Sequence, residues 1–329
     1  MKKFLAILLS AVMVFGVTAA LAETVTLVYA EVNPITSLMG KTAEFFAQKV
    51  GEYSGGTVAI DIQAGGAIGN EADVVDGMVG GAGMVDMCRI SNFTLNAYGC
   101  TEIQLLSMPY TFTGRDHFWA FAASDLGKEI LNDGNAKGVG VFGLFYVEEG
   151  FRSFFFKEPV TDITGMGNKK IRVAPDPIMT GVVTGLGANP TSVSFTELYQ
   201  ALNTGVVDGA EQPIANYYSN RFHEVAPHMI LDQHTLGCGS VIITNTAWDK
   251  LTAEQQDAIL KASADASEFN KNLSADYEAQ AKATLISEGA TFYDVTDIAP
   301  WQAACADVYK TSIPAGYEDE YQAILAMAP

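Results

Sequence analysis

Hydrophobic and polar positions along this chain switch between two periods, and the switching predicts its elements. Residues 24–30 (TVTLVYA) carry the period-two pattern of a strand. In residues 37–53 the apolar positions Leu38, Ala43, Phe46 and Val50 recur at helical spacing. Residues 57–62 alternate as a second strand. A loop of small residues, 64–67, leads past Gly69 into a helix that carries Val74, Val75 and Met78. Residues 85–90 are the next expected strand, 116–132 a helix and 138–147 a buried strand. A second set begins near Gly150. Here 152–156 and 169–173 are expected strands, 178–186 and 196–203 helices, 206–212 a strand with its loop, and 240–244 another strand. This β-α-β rhythm predicts an α/β fold with a largely parallel sheet.

The segment from 252 to 288 contains neither Gly nor Pro. Within it Ile259, Ala262, Ala266, Phe269, Leu273 and Tyr277 recur at steps of three or four, and Thr252 with Gln255 makes a capping box. At about 1.5 Å per residue, one helix over this span is about 55 Å long. That exceeds the width of a small domain, so the helix is expected to run across two. Without a flexible linker, two domains imply several crossings of the chain and a hinge-bending, two-domain arrangement of the type II binding-protein kind. The expected division is 23–149 with 238–277 for domain I, and 150–237 with 278–329 for domain II.

The first residues bear on location. Lys2 and Lys3 precede an uncharged apolar run over 4–17, and Ala20 and Ala22 precede Glu23. These are the parts of a secretory leader, with cleavage expected after Ala22. The run is short for a bilayer span, which needs about 20 residues. The expected mature protein is therefore an exported, periplasmic one. Its acidity, a formal charge of −19 for the whole chain, excludes nucleic acid as a natural partner. The four cysteines, Cys88, Cys100, Cys238 and Cys305, have spacings that fit neither a zinc site nor a thioredoxin-type pair. Cys88 lies in an apolar run where a buried thiol is the default, with a Cys88–Cys100 bridge as the alternative.

Few motifs point to catalysis. The GxGxxG match at 138–143 falls where a strand is expected and no helix follows, so it does not meet the demands of a dinucleotide site. His117, His223, His228 and His234 form no HExxH pattern, and surface or capping roles are expected of them. There is no GxSxG elbow. Glu148 and Glu149 are adjacent, so in a strand they point to opposite faces. No catalytic residue, metal or cofactor is assigned.

The informative stretch is GFRSFFF (150–156), KKIRVAPDP (169–177) and LGANPTSVSFTELYQALNTGVVDGAEQP (186–213). It resembles the core of TRAP (tripartite ATP-independent periplasmic) solute-binding proteins of the DctP type. The Pro109-Tyr110 turn, the loop before Gly69 and the long helix extend the resemblance over nearly all of the expected mature chain. It implies that Arg172, in KIRV, makes a bidentate contact with a ligand carboxylate, that Arg152 is a second pocket arginine, and that Phe195 lines the pocket. Gln212 stands where the family often has Asn, and Pro175 stands where sialic-acid binders have a polar side chain, which argues against sialic acid. Independently, Glu31, Asn33, Arg89, Ser91 and Asn92 lie at the ends of expected strands, where ligands collect in α/β folds. Arg89 is either a third cation for a doubly charged ligand or one half of a salt bridge.

The function these readings imply is capture of a small organic anion by a monomeric periplasmic protein that delivers it to the small and large membrane subunits of a TRAP permease. A sulfonate in place of the carboxylate, and a solute sensor that presents its ligand to a membrane receptor, are the alternatives. A planar guanidinium fork suits a carboxylate and a sulfonate alike.

Overall fold

The computed structural model describes residues 24–329, so the leader expected over 1–22 lies outside the described residues. Nine strands form one sheet: β1 (Val25–Ala30), β2 (Val58–Gln63), β3 (Met87–Ser91), β4 (Val141–Phe156), β5 (Lys170–Val173), β6 (Asn189–Ser192), β7 (Gly209–Pro213), β8 (His228–Thr244) and β9 (Thr291–Asp294). Their order is β2-β1-β3-β8-β4-β7-β5-β6, with β9 paired to β8. β1 pairs in parallel with β2 and β3, and β5 with β6 and β7. β4 and β8, however, run antiparallel to each other, and so do the pairs β3–β8 and β4–β7. The α/β class stands, but the sheet is mixed rather than largely parallel. Buried strands read as apolar runs in either direction, so the sequence pattern carried no sense of direction here.

β4 joins two segments that the sequence separates. The polar Glu148-Glu149 and the glycine after them interrupt the apolar run, yet the strand continues through them for 16 residues. Gly150 adopts φ +97°, and the ladder with β8 shifts register beside it. Likewise the strand expected at 240–244 is only the end of the 17-residue β8. Gly150 and Gly237 face each other at the point where both strands pass from one end of the sheet to the other.

α1 (Leu38–Tyr53) is capped by the Ser37 hydroxyl and buries Leu38, Ala43, Phe46 and Val50 as its spacing predicts. α2 (Glu71–Val79) opens with an Asn70–Asp73 capping box. The helix expected over 116–132 is two helices, Arg115–Ala123 and Asp125–Leu131. Ser124 is extended between them, and its hydroxyl caps the second by accepting from Gly127 N–H at 3.0 Å. The helix expected over 196–203 begins with a tighter turn, Phe195–Glu197, and continues over Leu198–Thr204.

One uninterrupted helix spans Ala253–Ser287, and the Thr252–Gln255 capping box is present. Its 35 residues extend about 52 Å. Ile259, Ala262 and Ala266 belong to one core with α1 and β1, while Ala281 and Leu285 belong to another with Leu198, Tyr217 and Phe222. Between these two ends the buried positions are polar. Asn270 accepts from Glu148 N–H at 2.8 Å and donates to Thr42 Oγ1, and Ser274 bonds the Glu148 carboxylate. The expected stripe is therefore corrected past Ala266: Phe269, Leu273 and Tyr277 are half-buried, and Asn270 and Ser274 face inward.

Other expectations are also revised. His117, His223 and His234 are buried rather than superficial, and His117 Nε2 meets the Ile324 carbonyl at 2.7 Å. All four cysteines are buried and free, so no Cys88–Cys100 bridge forms. Gly138 and Gly140 make left-handed turns between the short helix Asp133–Ala136 and β4. That helix-to-strand polarity is the reverse of what a dinucleotide site needs.

Gly150 is one position where the backbone conformation favours glycine. A Cβ there would lie 2.2 Å from Glu278 Oε2, which pairs with Arg115 Nη2 at 2.7 Å. Gly150→Ala is expected to lower the unfolding free energy by about 1–3 kcal/mol. Gly51→Ala, in α1 with open space around its Cβ, is expected to raise it by about 0.4–1 kcal/mol. Urea denaturation of the two variants beside the parent checks both signs.

Candidate functional site

The ends of β3 and β5, the middle of β4, and the β7-to-helix junction converge on one cleft. Asn33, Glu71, Arg89 and Ser91 enter it from one side; Arg152, Arg172, Phe195, Gln212 and Asn216 enter from the other. Asn220 Nδ2 donates to Asn33 Oδ1 at 3.0 Å across it. A Cβ on Gly66 would come within 3.0 Å of the Thr196 methyl, so the loop after β2 lies against the Phe195–Glu197 turn.

Three arginines are buried here, at 2–5% exposure, and they differ in what neutralises them. Arg89 is ringed by carboxylates. Its Nη2 donates to Glu31 Oε1 at 2.8 Å and its Nε to Glu31 Oε2 at 3.1 Å, its Nη1 donates to Glu71 Oε1 at 2.9 Å, and Glu149 Oε1 lies 3.3 Å from Nη1. Burial alone would lower its pKa, but Glu31, Glu149 and Glu71 hold it well above the ordinary value. Arg152 is paired with Glu211 through Nε and Nη2, and its guanidinium lies 5.0 Å from the centroid of Phe93. Arg172 is different. Its Nε donates to the Val193 carbonyl at 2.8 Å, and among the described residues it has no carboxylate within 4 Å. Burial pulls its pKa down to about 10.

The sequence-predicted residues thus divide. Arg172, Arg152, Phe195, Gln212, Arg89, Ser91 and Asn33 all line the cleft. Phe195 packs edge-on against Phe222, and Gln212 Oε1 lies 3.5 Å from Asn216 Nδ2. Ser91 spends its hydroxyl on capping the helix that follows, through Phe93 N–H. Glu31 is fully buried behind the wall, where it holds Arg89 and Asn33. Asn92 is not in the cleft: it bonds Cys238 and Ser240 inside the sheet. Arg89 falls on the salt-bridge side of its two alternatives, because Glu31, Glu71 and Glu149 converge on it.

Glu71, Glu149 and Asn216 were not among the predicted residues. Glu71 could have been found as the first helical residue after the glycine loop, next to an Asn cap. Glu149 follows from the opposite-face argument: Glu148 turns to Arg115 and Ser274, and Glu149 turns to the cleft, where Oε2 accepts from Asn216 Nδ2 at 2.9 Å.

Behind Arg152 the chain of charge continues. Glu211 also lies 3.5 Å from His234 Nε2, and His234 Nδ1 bonds Asp232 Oδ2 at 2.7 Å. Burial pushes Glu211 up, but Arg152 and His234 pull it further down, to about 2. For His234, burial acts downward, and Asp232 and Glu211 outweigh it, to about 9. The imidazole also stacks on Phe154, with centroids 4.5 Å apart. A buried guanidinium fork such as that of Arg172 has the geometry to pair with a carboxylate or similar anion.

A family model described as "Bacterial extracellular solute-binding protein, family 7" matches residues 29–314. The C4-dicarboxylate-binding periplasmic protein of Rhodobacter capsulatus is 26% identical over 293 residues, covering 88% of this chain and 87% of that one. Among solved structures, a TRAP periplasmic solute-binding protein of Xanthobacter autotrophicus with bound β-D-galacturonate superposes with a TM-score of 0.87 at 26% identity, over 91% of this chain and 99% of that one. A second, from Pseudomonas putida with bound D-glucuronate, gives 0.86 at 27%, over 91% and 96%.

The buried His234 pair makes stability depend on pH. A histidine held at about 9 adds stability that is complete below about pH 6.5 and is lost as pH rises through 9. Glu211, held at about 2, adds stability present above about pH 4.3 and lost as pH falls through 2. Unfolding free energies from urea denaturation between pH 6 and pH 9.5 are expected to fall with rising pH in the parent, by on the order of 3 kcal/mol in total. His234→Gln is expected to be less stable at pH 6 and to lose that slope.

Proposed function

The chain belongs to bacterial extracellular solute-binding protein family 7, the DctP family, and from that membership we propose that it captures a small organic acid by its carboxylate between two lobes and passes it to a membrane permease. The carrying observation is Arg172: a buried guanidinium fork on the cleft wall with, among the described residues, no carboxylate within 4 Å. Taking such a cation out of water costs several kcal/mol unless an opposite charge meets it, and a planar fork fits a carboxylate through two parallel hydrogen bonds. The ligands named for the related structures are carboxylates, which favours that alternative over a sulfonate.

The lobes we propose are 23–149 with 238–277 and 150–237 with 278–329. The facing glycines Gly150 and Gly237, and the polar middle of the long helix, support a hinge between them. Ligand contacts from both sides then stabilise the closed form over the open one. The family is one of binding proteins rather than enzymes, and the proposed setting is the periplasm, with the TRAP membrane subunits as partner and a monomer as the working state.

Two measurements test this reading. Native mass spectrometry of the purified protein is expected to find one retained organic acid, released on denaturation; the failure of a broad panel of organic acids to bind at all sinks the proposal. In titration calorimetry, Arg172→Ala is expected to weaken binding by roughly 30-fold or more, since truncating one partner of a buried charge pair costs about 2–5 kcal/mol. Arg172→Lys is expected to recover only part of the loss, because an ammonium keeps the charge but not the fork. Parent-like affinity in Arg172→Lys means that the residue acts only as a diffuse positive charge.

A further inference from the structure

We propose that this cleft selects singly charged carboxylates with a hydroxylated remainder and excludes dicarboxylates, with Glu149 as the specificity-determining residue. The proposal rests on the reading of the cleft as an organic-acid site and names which acids it takes.

The first observation is the charge balance of the wall. Arg89, Arg152 and Arg172 face four carboxylates: Glu31, Glu71 and Glu149 on Arg89, and Glu211 on Arg152. Nε, Nη1 and Nη2 of Arg89 are all engaged by those carboxylates. Only Arg172 is left for the charge of a ligand. A ligand carboxylate on Arg172 completes that pairing. A second one, carried to the other side of the cleft, meets Glu71 and Glu149 and, among the described residues, no free cation.

The second observation is independent of the count. Glu149 is buried, with its side chain 6% exposed, and it lines the cleft. Its Oε2 accepts from Asn216, but its Oε1 accepts no hydrogen bond. Arg89 Nη1 lies 3.3 Å from that oxygen without making one. Glu71, by contrast, is saturated: Oε1 takes Arg89 and the Ser91 N–H, and Oε2 takes the Thr94 hydroxyl at 2.7 Å. A buried carboxylate oxygen without a donor is costly, so Glu149 favours a ligand that brings one. A second carboxylate has no proton to give. An ammonium has, but it would sit against Arg89 and Arg152, the cations already beside Glu149. A neutral hydroxyl satisfies the oxygen without adding charge.

Titration calorimetry with matched pairs tests the proposal: erythronate against meso-tartrate, xylonate against xylarate, and galactonate against galactarate, with succinate, hexanoate and 2-amino-2-deoxygluconate beside them. In each pair the second acid replaces the terminal alcohol by a carboxylate. At least one hydroxylated monocarboxylate is expected to bind, with its dicarboxylate partner at least 100-fold weaker and hexanoate at least 30-fold weaker. Equal or tighter binding of a dicarboxylate overturns the single-charge inference, and the organic-acid reading survives. Equal binding by hexanoate or tightest binding by the amino acid overturns the hydroxyl assignment. No binding by any acid overturns the reading beneath it. Glu149→Gln is expected to weaken the preferred monocarboxylate about 10-fold and to narrow the gap to its dicarboxylate partner; an unchanged gap removes Glu149 as the selector. The ratios in the parent protein decide the charge question even if that variant does not fold.

Discussion

A guanidinium buried without an opposite charge is the constraint around which this cleft is organised. Removing it from water costs several kcal/mol that hydrogen bonds to carbonyls recover only in part. Arg89 and Arg152 meet that cost within the protein, through Glu31, Glu71 and Glu149 in one case and Glu211 in the other. Arg172 does not. Ile171 and Val173 on either side of it are fully buried, which fixes the strand, and the Val193 carbonyl holds its Nε. The fork is therefore oriented before any ligand arrives. In the proposed function the ligand's carboxylate supplies the missing charge, so binding energy goes into neutralisation rather than into ordering a side chain.

The scaffold that carries the fork is continuous at three places. β4 and β8 run side by side through both ends of the sheet, and the long helix lies along both cores. Each end of that helix is packed by apolar contacts, Ile259 and Ala262 at one and Ala281 and Leu285 at the other. Its middle is held by Asn270, Ser274 and the Arg115–Glu148–Glu278 cluster. Apolar interdigitation resists displacement because every lost contact opens a void. A belt of hydrogen bonds and ion pairs, with Arg115 and Glu278 partly open to water, can exchange partners with solvent. The proposed hinge falls where packing gives way to that belt and where Gly150 and Gly237 remove side chains from the strand crossing.

Much of this was legible in the sequence, for identifiable reasons. The apolar spacing of α1 and the absence of any breaker from Thr252 to Glu288 specify their helices, because those signals are local. Arg172 and Arg152 were singled out through motifs, and both line the cleft. What failed was nonlocal. Strand direction in the sheet, and the continuity of β4 through Glu148, Glu149 and Gly150, depend on partners far along the chain. Asn92 sits at a strand end, as a ligand residue would, but its amide is used by Cys238 and Ser240. Arg89 and Arg172 look alike in sequence, each flanked by apolar strand residues. They differ only because Glu31, Glu71 and Glu149 arrive from three separate segments.

That contrast shows what the arginine count cannot. In a chain with 38 acidic and 19 basic residues, most buried cations will find a carboxylate, and the informative cation is the one that does not. The same excess of negative charge works against an anionic ligand during approach, since like charges repel at long range. At physiological ionic strength that repulsion is screened beyond about 8 Å, so it acts mainly at the mouth of the cleft. Capture of an anion by such a protein gains little from electrostatic steering. In the proposed function its affinity has to reside in slow release, which a fork oriented inside the cleft before the ligand arrives favours.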